Sequence, residues 1–546
     1  MHSYTPLTPV TFLERSAQAY PNRSALICSD RIFTFSELLN RARSLVHVLT
    51  DLKVQVGDRV AVLSENNVQT IEAHFAIPSM EAVLVMLNPW LSETDVIALL
   101  AFSEVKVLIA EANVYQKLSG SSRQRLERVL RVLVISGPGG APGPGVMDYE
   151  RSLEAVSGRI SLEHSVHSEL DPIAINFTSG TTGVPKGVVY SHRAGYLHAL
   201  GQVLMIGLNK QSRYLWTLPM FHVNGWGHMW ACVAVGCTQI IPASNFSREN
   251  AEDFISAIGR YGITHLAGAP RLLKTLSEIG EQSNFMHGLT IVTGGSAPSP
   301  ILIQRLEKIG ATLIHQYGLN ETCGPFVVCE EQEEWETLPA EARARHRARQ
   351  GTATIHAGTG LRVLDANGKA VPQDGKTLGE VVMAGNTVAL EYFKNPVATQ
   401  KAFRDGWFHS GDIAVLHPDG SLEIRDRIKD MIYVETEYGW ENISSIEIEN
   451  VLCRNDVYQD AAVVAISDEG RVDRVPMLIA FVELKGEDWG NAEEAFHDYC
   501  AAELSEYKRP QVVYFEKLPK TNTGKIRKDI LNEIAKKRIF YTDISS

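Results

Sequence analysis

The chain has 546 residues, a length that predicts two or more domains and supplies ample sequence for a large core. A hydrophobic fraction of 45% and a charged fraction of 21% are typical of a globular protein, and a formal net charge of -12 argues against a nucleic-acid binder, which needs a basic surface. The seven cysteines are scattered and form no CxxC or Cys/His cluster, so they indicate neither a disulfide framework nor a zinc site.

The N-terminal residues Met1–Pro6 lack the basic stretch followed by an apolar stretch that marks a secretory signal. No uninterrupted apolar run approaches the length that crosses a bilayer. We therefore expect a cytoplasmic protein with no membrane span and no nucleic acid among its partners.

The first 90 residues alternate between helical and strand patterns. Residues 11–49 predict a helix, a short strand and a second helix, and the strand Val60–Leu63 is followed by a helix at Thr70–Met80 and a strand at Ala82–Leu87. Such alternation predicts layered α/β packing around a largely parallel sheet. His74 falls on one of these helices, where a lone histidine is expected to be a core residue with its hydrogen bonds satisfied.

After a Gly/Pro-rich exposed loop at residues 137–145, the apolar run 172–175 leads into the sequence Asn-Phe-Thr-Ser-Gly-Thr-Thr-Gly-Val-Pro-Lys-Gly at residues 176–187. Glycines let backbone N–H groups approach an anion, the hydroxyls donate hydrogen bonds, and Lys186 adds a positive charge. The loop is not a Walker A motif, because Pro185 replaces the glycine before the lysine and no Ser or Thr follows. The pattern predicts a phosphate-binding loop of another kind.

The second half of the chain has a different pattern of charged and turn-forming residues. The charged segment Glu330–Gln350 predicts a solvated helical excursion. From Gly351 onward, short strand patterns separated by Asn-Gly and Asp-Gly turns predict a β-rich subdomain. The last hundred residues return to a mixed α/β pattern.

Four further stretches carry residue types suited to nucleotide chemistry. Residues 317–322 (Tyr-Gly-Leu-Asn-Glu-Thr) place an aromatic ring beside a carboxylate that suits a hard cation. Residues 406–412 end in Asp412, an acceptor suited to a ribose diol. Residues 425–430 concentrate charge in a short connector, and residues 519–528 form a second loop of Thr, Gly and Lys.

Taken in this order, the five motifs resemble those of the AMP-forming acyl-CoA synthetases of the adenylate-forming superfamily, over nearly the whole chain. The resemblance implies an α/β fold: a large N-terminal domain of layered sheets and helices with a β-rich subdomain, residues 1–427, and a small mobile α+β C-terminal domain, residues 428–546. It also implies two half-reactions. A carboxylic acid and ATP form an acyl-adenylate with Mg²⁺, and the acyl group then passes to coenzyme A.

The resemblance also assigns roles to individual residues. Lys186 would grip the β- and γ-phosphates, Tyr317 would stack on adenine, and Glu321 would bind Mg²⁺. Lys525 would catalyse adenylation, because attack of a carboxylate on the α-phosphate brings negative charges together. The other assigned residues are Asn320 near the α-phosphate, Asp412 and Arg427 at the ribose, Lys429 as the hinge, Thr178, Ser179, Gly180, Thr181, Thr182 and Gly183 of the phosphate loop, and Gly295, Ser296, Ala297, Gln316 and Gly318 around the nucleotide.

Two stretches resemble the family's acid-binding segments. Residues 219–226 match its aromatic motif, which would place His222 near the substrate carboxylate and Trp226 in the pocket. Residues 294–298 resemble the loop between adenine and the acyl pocket. By the same comparison we expect Gly294 and His315 to line that pocket.

The sequence departs from the family pattern at three places. Asn320 replaces a threonine and can still donate a hydrogen bond to phosphate. His315-Gln316 stands where Gln-Gly is common, which adds a side chain beside the adenine and acyl pocket. After the hinge, four residues are extra and Trp440 replaces a glycine beside Gly439, in the loop that in relatives borders the thiol channel.

We therefore predict an acyl-CoA synthetase for an apolar acid, such as a medium- or long-chain fatty acid. The alternatives are an adenylating enzyme that loads an acyl carrier protein or stops at acyl-AMP, and a catalytically weakened nucleotide-binding protein. Retention of Lys186, Glu321, Asp412, Arg427 and Lys525 argues against the last of these. The sequence leaves open whether the protein forms a homodimer.

Overall fold

The computed structural model describes residues 4–29, 31–136, 145–159, 166–178, 185–243, 250–280, 287–436, 439–455, 457–466, 476–486, 491–521 and 525–540. For Asn224, Trp226, Arg271, Gly280, residues 433–436, residues 439–442 and Phe540 it describes the backbone alone.

The first half of the chain alternates between helices and strands, as predicted. Its elements in chain order are α1 (Val10–Ala19), β1 (Ser24–Cys28), β2 (Arg31–Thr34), α2 (Phe35–Asp51), β3 (Arg59–Leu63), α3 (Val68–Ser79), β4 (Val83–Leu87), α4 (Glu93–Phe102), β5 (Val105–Glu111), α5 (Ala112–Gln116), α6 (Gly120–Val129), β6 (Arg131–Ile135), β7 (Met147–Asp148), α7 (Tyr149–Ala155), β8 (Pro172–Thr178), β9 (Lys186–Ser191), α8 (His192–Ile206), β10 (Arg213–Leu215), α9 (Val223–Val235) and β11 (Thr238–Ile241).

The second half adds the end of this α/β region, a β-rich part and a smaller α/β part. Its elements are α10 (Ala251–Tyr261), β12 (His265–Ala267), α11 (Pro270–Gly280), β13 (Thr290–Thr293), α12 (Pro300–Lys308), β14 (Thr312–Leu319), β15 (Gly324–Val328), α13 (Ala340–Ala348), β16 (Thr352–Ala353), β17 (Leu361–Leu364), β18 (Gly379–Met383), β19 (Glu391–Tyr392), α14 (Pro396–Ala402), β20 (Phe403–Arg404), β21 (Trp407–Leu416), β22 (Leu422–Arg427), β23 (Ile432–Thr436), β24 (Gly439–Ile443), α15 (Ser445–Leu452), β25 (Tyr458–Ile466), β26 (Met477–Leu484), α16 (Ala492–Glu503), β27 (Val512–Phe515) and α17 (Lys528–Phe540).

Local sequence explains where several of these helices begin. Thr34 caps α2 by accepting a hydrogen bond from the Glu37 backbone, and the Glu37 carboxylate accepts one in return from the Thr34 backbone. This reciprocal capping box satisfies two donors that a helix start otherwise leaves free. Ser191 caps α8 through one hydrogen bond, which its side chain accepts from the Ala194 backbone amide. Gly207 ends that helix with a left-handed backbone.

Two large sheets form the N-terminal part, where the sequence predicted one largely parallel sheet. An eight-stranded sheet has the order β19-β9-β8-β4-β3-β5-β6-β7, and a nine-stranded sheet has the order β16-β15-β14-β13-β12-β10-β11-β1-β2. Most strand pairs in both sheets are parallel, with antiparallel strands at the edges. All five residues of β4 are buried, because a parallel strand is covered on both faces.

The largest core cluster joins the two sheets. It combines side chains of β3 and β4 from one sheet and β10 from the other with helices α2, α3, α8 and α9. Its interior includes the fully buried rings of Trp216 and Trp230. His74 lies in this region with its Nδ1 2.7 Å from the Thr70 carbonyl oxygen, and burial lowers its pKa to about 4. The prediction of a satisfied core histidine is consistent with this contact.

The β-rich part is a five-stranded antiparallel sheet with the order β17-β18-β21-β20, in which β22 pairs with β21. The smaller C-terminal part is a three-stranded sheet, β25-β26-β27, with helices α15 and α16 on one face and α17 on the other. This layout confirms the predicted fold class. The domain boundary at residue 427 and the mobility of the C-terminal part stay predictions.

No helix in the described part of the chain is long and apolar enough to cross a membrane. The seven cysteines are all free.

Candidate active site

Tyr317, Asp412 and Arg427 form a connected set where the nine-stranded sheet meets the five-stranded sheet. The Tyr317 hydroxyl donates a hydrogen bond to Asp412 Oδ2 at 2.7 Å, and Arg427 Nε lies 3.1 Å from Asp412 Oδ1. Asp412 and Arg427 are register partners on β21 and β22. Burial and the Asp412 charge raise the pKa of Tyr317 well above its usual value, so the phenol keeps its proton.

This set suits a nucleoside. The partly exposed Tyr317 ring offers a stacking face, and the Asp412 carboxylate is an acceptor held in place by a neutral donor and a cation. The three residues predicted to hold adenine and ribose are therefore brought together.

Glu321 and Lys186 meet at one tyrosine. Glu321 lies in a single 3₁₀ turn, Asn320–Thr322, directly after β14, and its Oε1 accepts a hydrogen bond of 2.7 Å from the Tyr392 hydroxyl. The Lys186 Nζ atom lies 4.8 Å from the centroid of the same tyrosine ring, within the range of a cation–π contact. Tyr392 thus joins the predicted metal ligand to the predicted phosphate lysine.

Strand pairing explains this meeting. Tyr392 lies on β19, whose partner is β9, and it is the register partner of Val188, two residues after Lys186. The Glu321 backbone carbonyl also accepts a hydrogen bond from Ala389 N at 2.8 Å. The sequence reasoning missed Tyr392, because a single tyrosine in the run Glu-Tyr-Phe-Lys carries no glycine or spacing signal of its own. Its pairing with the strand of the phosphate loop is visible only in the fold.

The phosphate loop is described only at its two ends. Thr178 ends β8 and Lys186 begins β9, and these two residues are register partners. Ser179, Gly180, Thr181, Thr182 and Gly183 lie outside the described residues. The predicted cradle therefore stays a prediction, with Lys186 placed at its exit beside Tyr392.

Lys525 comes from the far end of the chain and reaches the same region. Its loop is closed by hydrogen bonds from Thr521 N to Lys525 O at 2.7 Å and from Lys525 N to Thr521 Oγ1 at 3.1 Å. The surrounding protein strips water from the ammonium group and Arg427 repels it, while Asp412 and Asp430 oppose these effects, and the pKa of Lys525 falls to about 8. The residue as a whole is exposed, so its ammonium group loses only part of its water.

His222 faces Lys525 across the two parts of the chain. Burial and the nearby Lys525 charge lower the pKa of His222 to about 4, so the imidazole is neutral. His222 immediately precedes α9, and its neighbour Phe221 packs edge-on against Trp90 with ring centroids 5.1 Å apart. The side chain of Trp226, a predicted pocket residue, lies outside the described residues.

Close backbone packing surrounds Gln316 on β14. A Cβ atom on Gly294 would lie 2.9 Å from the Gln316 carbonyl oxygen, and one on Gly318 would lie 2.0 Å from the Gly324 carbonyl oxygen. Glycine is therefore required at Gly294, predicted to line the acid pocket, and at Gly318, predicted to lie beside the nucleotide. Gly295 has a φ of 86°, a left-handed conformation, and Ser296 and Ala297 are exposed in the loop that follows β13.

His315 and Gln316 are neighbours on β14 that contact different parts of the chain. Its ring is buried and its Nδ1 lies 2.9 Å from the Arg349 carbonyl oxygen, so it packs against the end of the Glu330–Gln350 excursion. Residues alternate between the two faces of a strand, and it is Gln316 that reaches α8, where its Nε2 donates to Gln202 Oε1 at 3.2 Å. The pocket role of His315 stays a prediction, and Gln316 is the residue of this pair that lies against α8.

The connector after β22 is a tight turn. The amides of Asp430 and Met431 both donate to the Arg427 carbonyl oxygen, at 2.9 and 3.0 Å, and Lys429 is exposed within the turn that these bonds close. An exposed residue in a short turn is suited to a hinge, a role that stays a prediction for Lys429. Asn320 is half-buried in its 3₁₀ turn, and its phosphate role likewise stays a prediction.

The extra residues after the hinge extend a β-hairpin. Strands β23 and β24 pair in antiparallel register from Ile432 opposite Ile443 to Thr436 opposite Gly439, with Trp440 opposite Glu435. Ile432 and Ile443 anchor the base of the hairpin in the core of the C-terminal part. The side chain of Trp440 lies outside the described residues, so the predicted thiol-channel role of Gly439 and Trp440 is not decided by contacts.

We expect replacement of Tyr392 by phenylalanine to raise the Mg²⁺ concentration needed for half-maximal adenylation by about 10- to 100-fold, the usual effect of losing a residue that orients a metal ligand. Phenylalanine lacks the hydroxyl that donates to Glu321 but keeps the aromatic ring that contacts Lys186. Magnesium titration of carboxylate-dependent ATP–pyrophosphate exchange measures the effect. An unchanged titration would show that Glu321 needs no support from Tyr392, and Tyr392→Leu, which removes the ring as well, should cost more than Tyr392→Phe.

Comparison with known proteins agrees with this geometry. The sequence model of the family described as AMP-binding enzyme matches residues 13–393, and that of the AMP-binding enzyme C-terminal domain matches residues 447–525. The chain is similar to the acetate–CoA ligase CCL3 of Humulus lupulus, with 38% identity over 557 residues, 98% of this chain and 95% of that protein.

A second relative is the peroxisomal acetate/butyrate–CoA ligase AAE7 of Arabidopsis thaliana, with 37% identity over 558 residues, 98% of this chain and 95% of that protein. Among solved structures, the anthranilate CoA ligase AuaEII in complex with anthranoyl-AMP matches with a TM-score of 0.83 at 25% identity, covering 97% of this chain and 98% of that chain. Because a relative is named as peroxisomal, the cytoplasmic location of this chain stays a prediction.

Proposed function

Because the chain belongs to the AMP-binding enzyme family, we propose that it activates a short-chain carboxylic acid with ATP to an acyl-adenylate and transfers the acyl group to coenzyme A. The observation that carries this proposal is the approach of Lys525, from the C-terminal part, to Asp412, Arg427 and His222. The Lys525 cation lies near the proposed nucleoside residues Asp412 and Arg427 and near the neutral imidazole of His222, which supports the proposal. Adenylation needs these groups in one place.

The residues divide the work of adenylation. Tyr317, Asp412 and Arg427 would hold adenosine, and Lys186 would hold the outer phosphates that leave as pyrophosphate. Lys525 would stabilise the negative charge that gathers at the α-phosphate when the carboxylate attacks. No general base is required, since a carboxylic acid is already ionised at neutral pH.

Glu321 fits a bound Mg²⁺. Magnesium usually takes one or two protein carboxylates together with substrate phosphates, and Glu321 offers one carboxylate held in orientation by Tyr392. When bound, the ion would neutralise charge on the phosphates. The neutral His222 would donate or accept a hydrogen bond at the acid carboxylate without competing with Lys525 as a cation.

The acid is proposed to be short, in place of the medium- or long-chain fatty acid predicted from the sequence. Gln316 adds a buried side chain where relatives commonly have glycine, and its hydrogen bond to Gln202 fixes it against α8. A fixed amide at this position shortens the space behind the carboxylate. The names of the two relatives, for acetate and for acetate or butyrate, support the same size.

Carboxylate-dependent ATP–pyrophosphate exchange, followed by CoA thioester formation, tests the proposal. A panel from acetate to benzoate and octanoate should show the highest kcat/KM among acids of two to five carbons. Folded protein that catalyses no exchange with any acid would contradict adenylation. Transfer to a carrier protein and release of acyl-AMP remain the alternatives for the second half-reaction, and parallel assay of the three products separates them.

We expect kcat/KM for adenylation to fall as the pH rises through about 8, the pKa of Lys525 in the free enzyme. The protonated ammonium is the active form, and its fraction decreases above that pKa. Asp430→Asn removes a carboxylate that raises this pKa, so the alkaline limb should move to lower pH. A pH–rate profile of both proteins measures the shift.

Asp51→Asn is the control, since it removes a carboxylate on α2 that does not act on Lys525. An alkaline limb that stays in place in Asp430→Asn would assign that limb to another group.

A further inference from the structure

Three buried polar side chains and one that is partly buried gather between α8 and the strand that carries Tyr317. They are His198 and Gln202 on α8, Gln316 on β14 and His356 after β16, and we call them the amide–imidazole cluster. His198 and Gln202 are four residues apart and so share one face of the helix. Their exposed fractions are 1% and 0%. The Gln202–Gln316 hydrogen bond ties the two elements together.

His198 is enclosed by backbone on two sides. A Cβ atom on Gly227 would lie 2.0 Å from the His198 ring, and one on Gly324 would lie 2.5 Å from it. Gly227 belongs to α9 and Gly324 begins β15. The ring therefore sits between the helix that follows His222 and the strand that follows Glu321.

Three polar atoms of the cluster lack a hydrogen-bond partner among the described residues: His198 Nδ1, Gln202 Nε2 and His356 Nδ1. Their chemistry can be assigned in two cases. His356 Nε2 lies 3.1 Å from the Pro325 carbonyl oxygen, which only accepts, so Nε2 carries the proton and Nδ1 is an acceptor. Gln202 Nε2 is a donor. Burial lowers the pKa of His356 to about 4 and that of His198 well below its usual value, so both rings are neutral.

Buried polar atoms without partners cost stability, and most are satisfied by protein, water or ligand. A hydroxyl group both donates one hydrogen bond and accepts others, which matches a buried acceptor and a buried donor together. A charged group does not match, because the cluster supplies no counter-charge.

The cluster lies at a suitable depth for a substrate. Gly227, which lies against the His198 ring, is five residues after His222, a separation of about 7.5 Å at helical rise. In an extended four-carbon acid, about 5 Å separate the carboxyl carbon from a hydroxyl on the last carbon. Gln316, which binds Gln202, directly precedes Tyr317 on β14 and so links the cluster to the proposed nucleoside residues.

Resting on the proposed function, we propose that the amide–imidazole cluster binds a hydroxyl group of the acid, so that the enzyme selects a short hydroxy acid over its apolar isostere. The Gln202 amide donates to the hydroxyl oxygen, and the hydroxyl donates to a ring nitrogen. A trapped water presents the same chemistry, and the test below separates the two sources.

The test compares 4-hydroxybutanoate with pentanoate, which has the same number of non-hydrogen atoms, in ATP–pyrophosphate exchange by the unmodified enzyme. We expect kcat/KM for the hydroxy acid to exceed that for pentanoate by at least about tenfold, because a site that hydrogen-bonds a hydroxyl rejects the analogue that lacks it. Gln202→Leu should bring this ratio close to one, mainly by reducing the rate with the hydroxy acid. Gln211→Leu, at an exposed glutamine just beyond α8, should leave the ratio unchanged.

A wild-type ratio of one or below overturns the inference and assigns the cluster to a trapped water. Exchange with other acids but with neither of these two also overturns it, while the proposed function stands. If the enzyme catalyses exchange with no acid at all, both the inference and the proposed function are contradicted. The thermal midpoint of Gln202→Leu shows whether the variant folds, and if it does not, the wild-type ratio still decides the question.

Discussion

Lys525→Ala is expected to reduce adenylation by about 10²- to 10³-fold, the effect seen when one preorganised group that stabilises transition-state charge is removed. The chain places this ammonium beside Arg427 and opposite His222, at the junction of the predicted nucleoside and acid sites. Without it, only Lys186 and Mg²⁺ would stabilise the negative charge at the α-phosphate. ATP–pyrophosphate exchange measures the loss directly.

The second half-reaction provides an internal control for the same variant. Lys525→Ala should form thioester from supplied acyl-AMP and CoA at close to the wild-type rate, because the proposed role of Lys525 is confined to adenylation. Lys537→Ala removes an exposed lysine from α17 and should leave both half-reactions intact. Unchanged exchange in Lys525→Ala would show that another residue acts at the α-phosphate.

Glu321→Gln is expected to lower the exchange rate by about 10²-fold at ordinary Mg²⁺ concentration. Glutamine retains an oxygen that can accept the hydrogen bond from the Tyr392 hydroxyl, so the turn should keep its shape. The negative charge that attracts Mg²⁺ is lost. Part of the activity should return at high Mg²⁺. Titration of exchange against Mg²⁺ separates this weaker metal binding from a general loss of structure.

Glu391→Gln is the matched control for this variant. Glu391 is exposed on β19 beside Tyr392, so its replacement removes a charge from the same neighbourhood without touching the Tyr392–Glu321 hydrogen bond. It should titrate with Mg²⁺ as the wild type does. Identical titrations for Glu321→Gln and Glu391→Gln would show that Glu321 does not bind Mg²⁺.

The parts of the site that were predictable are those whose chemistry is local in sequence. Residues 317–322 combine an aromatic ring and a carboxylate within one short segment, and the composition of residues 176–187 predicts a phosphate loop, a role that stays a prediction. The family resemblance then ordered these motifs along the chain, and the match to the AMP-binding enzyme family confirms it. The contacts that these motifs did not predict depend on which face of a strand a residue occupies, as His315 and Gln316 show.

The amino-acid sequence by itself determined the α/β alternation, the β-rich insertion and the identity of the charged groups, because hydrophobic period and turn residues act over a few positions. Only the tertiary structure decided that Tyr317 and Asp412, 95 residues apart, share a hydrogen bond, and that Tyr392 joins Glu321 to Lys186. It also decided the lowered pKa of Lys525, since desolvation and the Arg427 charge arise from packing between distant parts of the chain.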